Sequence, residues 1–249
     1  MRLHSSLALL GLSLLVFGLA GCQSNADQST ASFKNHSEKS SSYSAPKPDA
    51  AVTGSSSTKK EAQTYQPQTA QTKSAHYVKS GKLKTTGQYT YDKVGTKLQL
   101  DQVTHPQTTI KSGPLTYKVT TVRVIKNTAK TAAAKRMAAQ ALNLASIKSP
   151  YYTIQLKFTI TNRGKRDVTT DGIKTLRLSK SRQLNSAGQL SDASAGKTIP
   201  AHGHLTTFAT GLASEKRQPT FKTVKVAFAA AYADSKQVVA PTGWLKLTL

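Results

Sequence analysis

The sequence predicts a mainly β protein, namely an antiparallel β-sandwich with one inserted Ala-rich α-helix, preceded by a signal peptide and a disordered linker. Three observations predict this class. Apolar and polar residues alternate with a period of two in most runs after Tyr89. Turn residues such as those at 162–164 separate these runs. A single segment near 128–146 consists of strong helix formers instead.

The N-terminus has the parts of an export signal over residues 1–21. Arg2 supplies a positive charge, and residues 7–17 form an apolar run that is shorter than the roughly 20 residues of a membrane-spanning helix. The last three residues of this segment and the cysteine that follows resemble the lipobox of bacterial lipoprotein precursors: Leu19, Ala20, Gly21 and Cys22. This resemblance implies cleavage before Cys22, a lipid on its sulfur, and anchoring at the outer face of the cell membrane. The alternatives are an ordinary secretory signal with a chance cysteine, or an uncleaved anchor.

Residues 22–84 are predicted to form a disordered linker that begins with the lipidated cysteine. The composition up to residue 74 is dominated by Ser, Thr, Ala, Gln and Lys, and large apolar side chains are nearly absent. Such a segment cannot bury enough apolar surface to fold. About fifty flexible residues would give a root-mean-square reach of roughly 40 Å. The linker is therefore predicted to act as a tether for a folded domain at 85–249.

Charge is the second strong signal in the sequence. Residues 76–249 contain 28 Lys and Arg but only 7 Asp and Glu, so their net charge is +21. A field of this sign favours contact with polyanions. The alternatives are solubility at low external pH, or the general composition of the source's proteins. Cys22 is the only cysteine, so a domain at 85–249 has no disulfide and depends on its core.

The clearest strand is predicted at residues 151–161. Five apolar residues of this run share one face, and five polar residues share the other. The apolar face comprises Tyr152, Ile154, Leu156, Phe158 and Ile160. The polar face comprises Thr153, Gln155, Lys157, Thr159 and Thr161, and is expected to meet solvent. Near Thr120 the alternation of the preceding strand changes phase, as a β-bulge would produce.

The helix near 128–146 is predicted to cross one end of the sandwich. Thr128 is the expected N-cap. The residues that fall on one side are Ala134, Met137, Ala138, Ala141 and Leu142. A packed connection is favoured over a lid or docking helix.

Two stretches together resemble a known module. Ile125-Lys126-Asn127 followed by the strand 152–162, and later Ile199-Pro200 before a closing strand at 224–228, are similar to an immunoglobulin-like domain of unknown function. That domain follows the lipobox and Ser-rich linker in many Gram-positive lipoproteins. The likeness covers roughly 95–230, and the long Ala-rich helix and the lysine excess depart from it. The resemblance implies an extracytoplasmic immunoglobulin-like β-sandwich without an assigned catalytic residue.

The predicted function is binding, without catalysis. The domain is expected to engage anionic wall polymer or an envelope protein, and no specific nucleic acid. The residues expected to contact a polyanion are Lys130, Lys135 and Arg136 on the helix, and Lys165 and Arg166 in a turn. The alternative is an accessory or structural lipoprotein with no dedicated ligand. Four aromatic residues are candidates for stacking on sugars or bases, or for core positions: Tyr89, Tyr91, Tyr151 and Trp244.

An enzyme is not predicted. The sequence lacks a Gly-x-Ser-x-Gly elbow, and Ser194 with Lys197 matches Ser-x-x-Lys without the partner motifs of that chemistry. His202 and His204 would chelate a metal if they shared one face of a strand, but solvated turn residues are favoured. No cofactor or metal is therefore predicted.

The lipobox motif generates a direct prediction. Cys22→Ala removes the sulfur that would carry the lipid, so the variant should not incorporate labelled fatty acid and should be unprocessed or released. Metabolic labelling and membrane fractionation measure both outcomes. A Cys22→Ala protein that is processed and retained in the detergent-soluble membrane fraction like the parent would contradict the lipoprotein interpretation.

Overall fold

The computed structural model describes residues 64–249. The predicted signal peptide, Cys22 and the linker up to residue 63 lie outside the described residues. Within the described range, neither helix is long and apolar enough to cross a membrane.

The described residues form fifteen strands and two helices. In chain order these are α1 (Thr69–Thr72), β1 (Tyr89–Tyr91), β2 (Thr96–Thr104), β3 (Thr108–Ser112), β4 (Leu115–Ala129), α2 (Ala132–Ala141), β5 (Tyr151–Asn162), β6 (Val168–Thr170), β7 (Ile173–Arg177), β8 (Gln183–Leu184), β9 (Leu190–Asp192), β10 (Lys197–Ile199), β11 (His204–Ser214), β12 (Thr223–Phe228), β13 (Ala231–Ala233), β14 (Lys236–Val239) and β15 (Leu245–Thr248).

The strands form one large and two small antiparallel sheets. The large sheet has the order β1-β2-β4-β5-β11-β9, with β3 also paired to β4. The first small sheet has the order β10-β6-β13-β14, and the second has the order β15-β12-β7-β8. The mainly β antiparallel sandwich with one inserted Ala-rich helix, as predicted from the sequence, is confirmed.

The main core lies between the large sheet and the two small sheets. The apolar face predicted for β5 is buried throughout, and Ile154, Leu156, Phe158 and Ile160 are fully enclosed. Residues from both small sheets pack against this face, among them Val168, Leu176, Val224, Val226 and Leu247. Period-two alternation therefore identified the inward face correctly.

An aromatic stack joins the layers at the centre of this core. The ring of Phe228 on β12 stacks on Tyr117 of β4 with centroids 4.2 Å apart, and lies 5.3 Å from Phe158 of β5. Burial raises the pKa of Tyr117 to about 12, so the hydroxyl stays neutral. Truncating a buried phenylalanine to alanine typically costs about 3–5 kcal/mol. Phe228 is thus a principal link between the large sheet and the sheet that contains β12.

A β-bulge lies where the alternation changes phase in β4. The register with β5 shifts between Val119 and Thr121, close to the predicted position. The shift lets Val119 and Val122 both face the core although an odd number of positions separates them. The long strand therefore keeps one apolar face along its whole length.

The opposite face of the large sheet is not uniformly solvent-facing, which corrects the expectation for the polar face of β5. Thr153 is 1% exposed and Gln155 is 6% exposed. Thr153 Oγ1 accepts a hydrogen bond from Asn127 Nδ2, and Gln155 Oε1 accepts one from the buried Arg123. The polar side chains are buried because other parts of the chain cover this half of the face, and their hydrogen-bonding groups find partners within the fold.

The helix is shorter than predicted and starts later. It spans Ala132–Ala141, and Thr131 is its N-cap, accepting a hydrogen bond from Ala134 N–H at 3.0 Å. Thr128, the predicted cap, belongs to β4 and pairs with Lys97 of β2. Cross-strand pairing thus overrides helix propensity up to Ala129. Ala138, Ala139 and Leu142 pack with Tyr151, which confirms a packed connection.

The predicted linker boundary at residue 84 is also corrected. Tyr65 N–H donates to the carbonyl of Lys93, and Tyr77 forms a parallel bridge with Tyr89 at the sheet edge. Leu83 is 5% exposed and packs with Leu98, Leu100 and Ile125. We call residues 64–88 the N-terminal strap. It was missed because its few apolar residues are spaced widely among polar ones, so the average composition resembles a linker.

The strap should contribute measurably to stability. A chain that begins at residue 85 lacks Leu83, whose burial alone is worth about 2–5 kcal/mol by analogy with leucine truncations. It should therefore unfold at lower urea concentration than a chain that begins at residue 64. Equal urea midpoints for the two chains would show that the strap does not belong to the cooperative fold.

Candidate polyanion-binding surface

The five predicted polyanion contacts are exposed but lie in two separate places. Lys130 follows β4, and Lys135 and Arg136 lie on α2. Lys165 and Arg166 lie in the turn between β5 and β6. The two groups flank opposite ends of β5, whose 12 residues span roughly 40 Å in extended form. The fold therefore does not bring them together into one site.

Lys130 has other cations nearby. Burial lowers the pKa of Lys97 on β2, and the charges of Lys130 and Lys126 lower it further. The ammonium of Lys97 lies 4.0 Å from the centre of the Tyr89 ring, a cation–π contact. This end of the large sheet is basic, but Lys97 already has an aromatic partner.

Four tyrosines pack together beside these lysines, and we call them the tyrosine cluster: Tyr65, Tyr77, Tyr89 and Tyr91. Ring centroids are 5.7 Å apart for Tyr65 and Tyr91, and 5.9 Å apart for Tyr77 and Tyr89. The Tyr89 hydroxyl donates to the backbone carbonyl of Gln71 at 2.9 Å. The cluster fixes the N-terminal strap to edge strand β1, so its contacts are accounted for by folding.

A third group of cations lies on the second small sheet, where the predictions placed no site. Lys225 of β12 is directly opposite Arg177 of β7 and Lys246 of β15. We call Arg177, Lys225 and Lys246 the cation row. Directly opposed side chains have Cβ atoms about 5 Å apart, and like charges at such positions are destabilising. The row is thus a local cost to the fold.

No carboxylate stands at the paired outward positions around the cation row. Besides the row, strand pairing places Thr175, Gln183, Thr223, Thr248 and the buried Ala227 at these positions, and the exposed Lys174 lies at the register shift between β7 and β12. Lys225 and Lys246 are exposed, and Arg177 is half-buried. None of the opposed positions on these four strands supplies a negative charge to the row.

Trp244 lies beside the row and contacts Arg177. The guanidinium carbon of Arg177 is 4.4 Å from the centre of the Trp244 ring. Trp244 is 42% exposed and is the only large apolar side chain of the described residues that is exposed. Of the four predicted stacking aromatics, Tyr89 and Tyr151 are core residues at 8% and 3% exposure, and Tyr91 belongs to the tyrosine cluster. Trp244 alone keeps a substantially open surface.

Several acidic side chains accept hydrogen bonds from amide groups. Asp92 accepts from Val94 N–H and Thr96 N–H, Asp167 accepts from Ala201 N–H, and Asp101 accepts from the Gln218 side chain. Burial raises the pKa of Asp92, while these backbone hydrogen bonds oppose the rise. These carboxylates therefore stabilise turns and contacts between loops.

Ser194 and Asp192 form a buried structural pair. The Ser194 hydroxyl donates to Asp192 Oδ1 at 2.7 Å, and Asp192 also accepts from Ile173 N–H. Burial raises the pKa of Asp192, and the hydrogen bonds from Ser194 and Ile173 lower it. Gly172 has φ +77° and a side chain there would press on the Asp192 carboxylate, so this glycine is required. The Ser194 hydroxyl is thus engaged by Asp192, whose carboxylate links β9 to β7.

The two candidate histidine ligands do not share a strand. His202 has φ +56° in the turn before β11, and His204 is the first residue of β11. The same-face geometry considered for chelation therefore does not arise. Among residues 64–249, no group of three or more His, Cys, Asp or Glu side chains is placed to hold a metal ion.

The sequence signal for the cation row is weak. Each of its cations lies between two apolar residues, in Leu176-Arg177-Leu178, Val224-Lys225-Val226 and Leu245-Lys246-Leu247, but the same pattern also occurs at Val122-Arg123-Val124 and Leu156-Lys157-Phe158. Alternation predicts that each cation faces outward. The sequence alone does not show that these three strands are neighbours. Only the pairing of the strands places the three cations in one row.

Comparison with known proteins gives little guidance. No family model and no curated protein matches the chain. One solved structure, a functionally unknown protein from Listeria monocytogenes EGD-e, shares 16% identity and covers 58% of this chain and 86% of its own. Its TM-score is 0.35, which is too low to support an argument about fold or function. The resemblance to the immunoglobulin-like lipoprotein domain stays a prediction.

Proposed function

We propose that this protein is a lipid-anchored envelope lipoprotein that binds anionic wall polymer at the outer face of the cell membrane. The lipobox-like Leu19-Ala20-Gly21-Cys22 motif supports the anchoring part of the proposal. The domain has no assigned catalytic role in this proposal. Its basic surface acts as the binding element.

The observation that carries the proposal is a large excess of positive charge. The hydrogen bonds seen for the carboxylates come from uncharged groups. Residues 76–249 have a net charge of +21, and Asp92, Asp101, Asp167 and Asp192 accept hydrogen bonds from amide or hydroxyl groups. The positive charges of such a domain repel one another and attract anionic polymers. Outside a membrane, phosphate-containing wall polymers are an abundant polyanion.

The salt dependence of binding tests this proposal. The detergent-solubilised protein should bind purified wall teichoic acid at about 50 mM salt, and the logarithm of the association constant should fall linearly with the logarithm of salt concentration. The slope should be shallower than for DNA, because the polymer is less densely charged. Isothermal titration calorimetry over a salt series measures it.

A neutral polysaccharide of similar length is the control and should not bind. Binding that is unchanged between about 50 and 500 mM salt would contradict an electrostatic mechanism. The absence of binding to the acidic polymer at low salt would leave only the structural or protein-partner alternatives.

A further inference from the structure

We propose that the cation row and Trp244 form the binding site for a phosphodiester polymer with polyol or sugar units. This inference rests on the proposed function and identifies the surface that performs it. The site lies on the outward face of the sheet β15-β12-β7-β8, and none of the five residues that the sequence nominated belongs to these strands.

The arrangement of the row fits a chain of phosphates. Arg177, Lys225 and Lys246 come from three adjacent strands, so their charges follow one another across the sheet. A polymer lying across the strands can meet a cation at each, whereas a single anion would meet only one or two. The neighbouring outward threonines, Thr223 and Thr248, add hydroxyl donors without adding negative charge.

Arg177 is held ready to bind a phosphate. Its guanidinium is stacked at 4.4 Å from the Trp244 ring centre. Stacking therefore restrains the guanidinium plane. A planar guanidinium binds phosphate oxygens in a bidentate manner, and fixing it beforehand reduces the entropy lost on binding.

Trp244 supplies the apolar part of the site. A single exposed apolar residue is ordinary on a protein surface and needs no function. Trp244 is different because it is 42% exposed and adjoins the row through Arg177. An open indole edge beside cations suits the C–H groups of polyol or sugar units between phosphates. A bare inorganic phosphate would not use it.

The cation row also predicts that one substitution will stabilise the fold and weaken polymer binding. A glutamate at position 225 would lie between Arg177 and Lys246 and would replace two like-charge contacts with two attractive ones. Lys225→Glu should therefore raise the melting temperature in the absence of ligand while weakening binding. A lysine with only a structural role would not give these opposite changes.

Lys118→Glu is the matched control. Lys118 is also exposed and in the middle of three strands, but it faces uncharged Thr109 and Thr159 on the large sheet. Both substitutions change the net charge of the chain by the same amount. If binding depended only on the net charge of the protein, the two substitutions would weaken the affinity equally.

The experiment measures binding of poly(glycerol phosphate) to the detergent-solubilised full chain by calorimetry at about 50 mM salt. Lys225→Glu should weaken the affinity about tenfold or more, and Lys118→Glu about twofold or less. If Lys225→Glu does not fold, Lys225→Gln should weaken the affinity about threefold while folding normally.

The outcomes separate this inference from the proposed function. Equal weakening by Lys225→Glu and Lys118→Glu would overturn the site while leaving polyanion binding intact. Failure of the parent protein to bind any anionic polymer at low salt would overturn the proposed function itself.

Discussion

The contact of Phe228 with Tyr117 and Phe158 determines much of what this domain presents to solvent. Phe228 can reach those two rings only if the even-numbered residues of β12 face the core, as Val224 and Val226 also do. Because side chains alternate along a strand, Lys225 must then face outward. Pairing with β7 and β15 places it between Arg177 and Lys246. An apolar constraint in the core thus fixes the position of a charged group on the surface.

The large sheet satisfies a different constraint, since both of its faces must be covered over part of their area. The inward face meets the small sheets. The opposite face near Thr153 and Gln155 is covered by α2 and the N-terminal strap. The buried Arg123 links β5 to the strap, because it donates hydrogen bonds to Gln155 and to the Leu83 carbonyl. These directional hydrogen bonds define where the strap packs, so Leu83 occupies one position against the apolar residues of the sheet.

Local patterns predicted the local features well. Alternation identified the inward face of β5, the phase change near Thr120 located the bulge in β4, and helix propensity located α2 approximately. What failed depends on partners that are distant in the chain. Thr128 lies in β4 because Lys97 pairs with it, and Thr153 is buried because other segments cover it. No property of residues 151–161 alone states that a second layer lies on their polar side.

The candidate site shows the same division. The exposure of Lys130, Lys135, Arg136, Lys165 and Arg166 follows from their sequence context, but their separation along β5 does not. The cation row depends on the pairing of three strands that are far apart in sequence, so counting charges along the chain does not reveal it.

The cation row is the feature on which the functional account depends, because it places like charges together without a compensating carboxylate among the opposed outward residues of its sheet. The most direct test uses the fluorescence of Trp244, the single tryptophan of the chain. On titration with poly(glycerol phosphate), its emission should change saturably, and iodide should quench it less in the complex than in the free protein. An emission spectrum and iodide quenching that stay constant while calorimetry reports binding would place the polymer elsewhere and contradict the account.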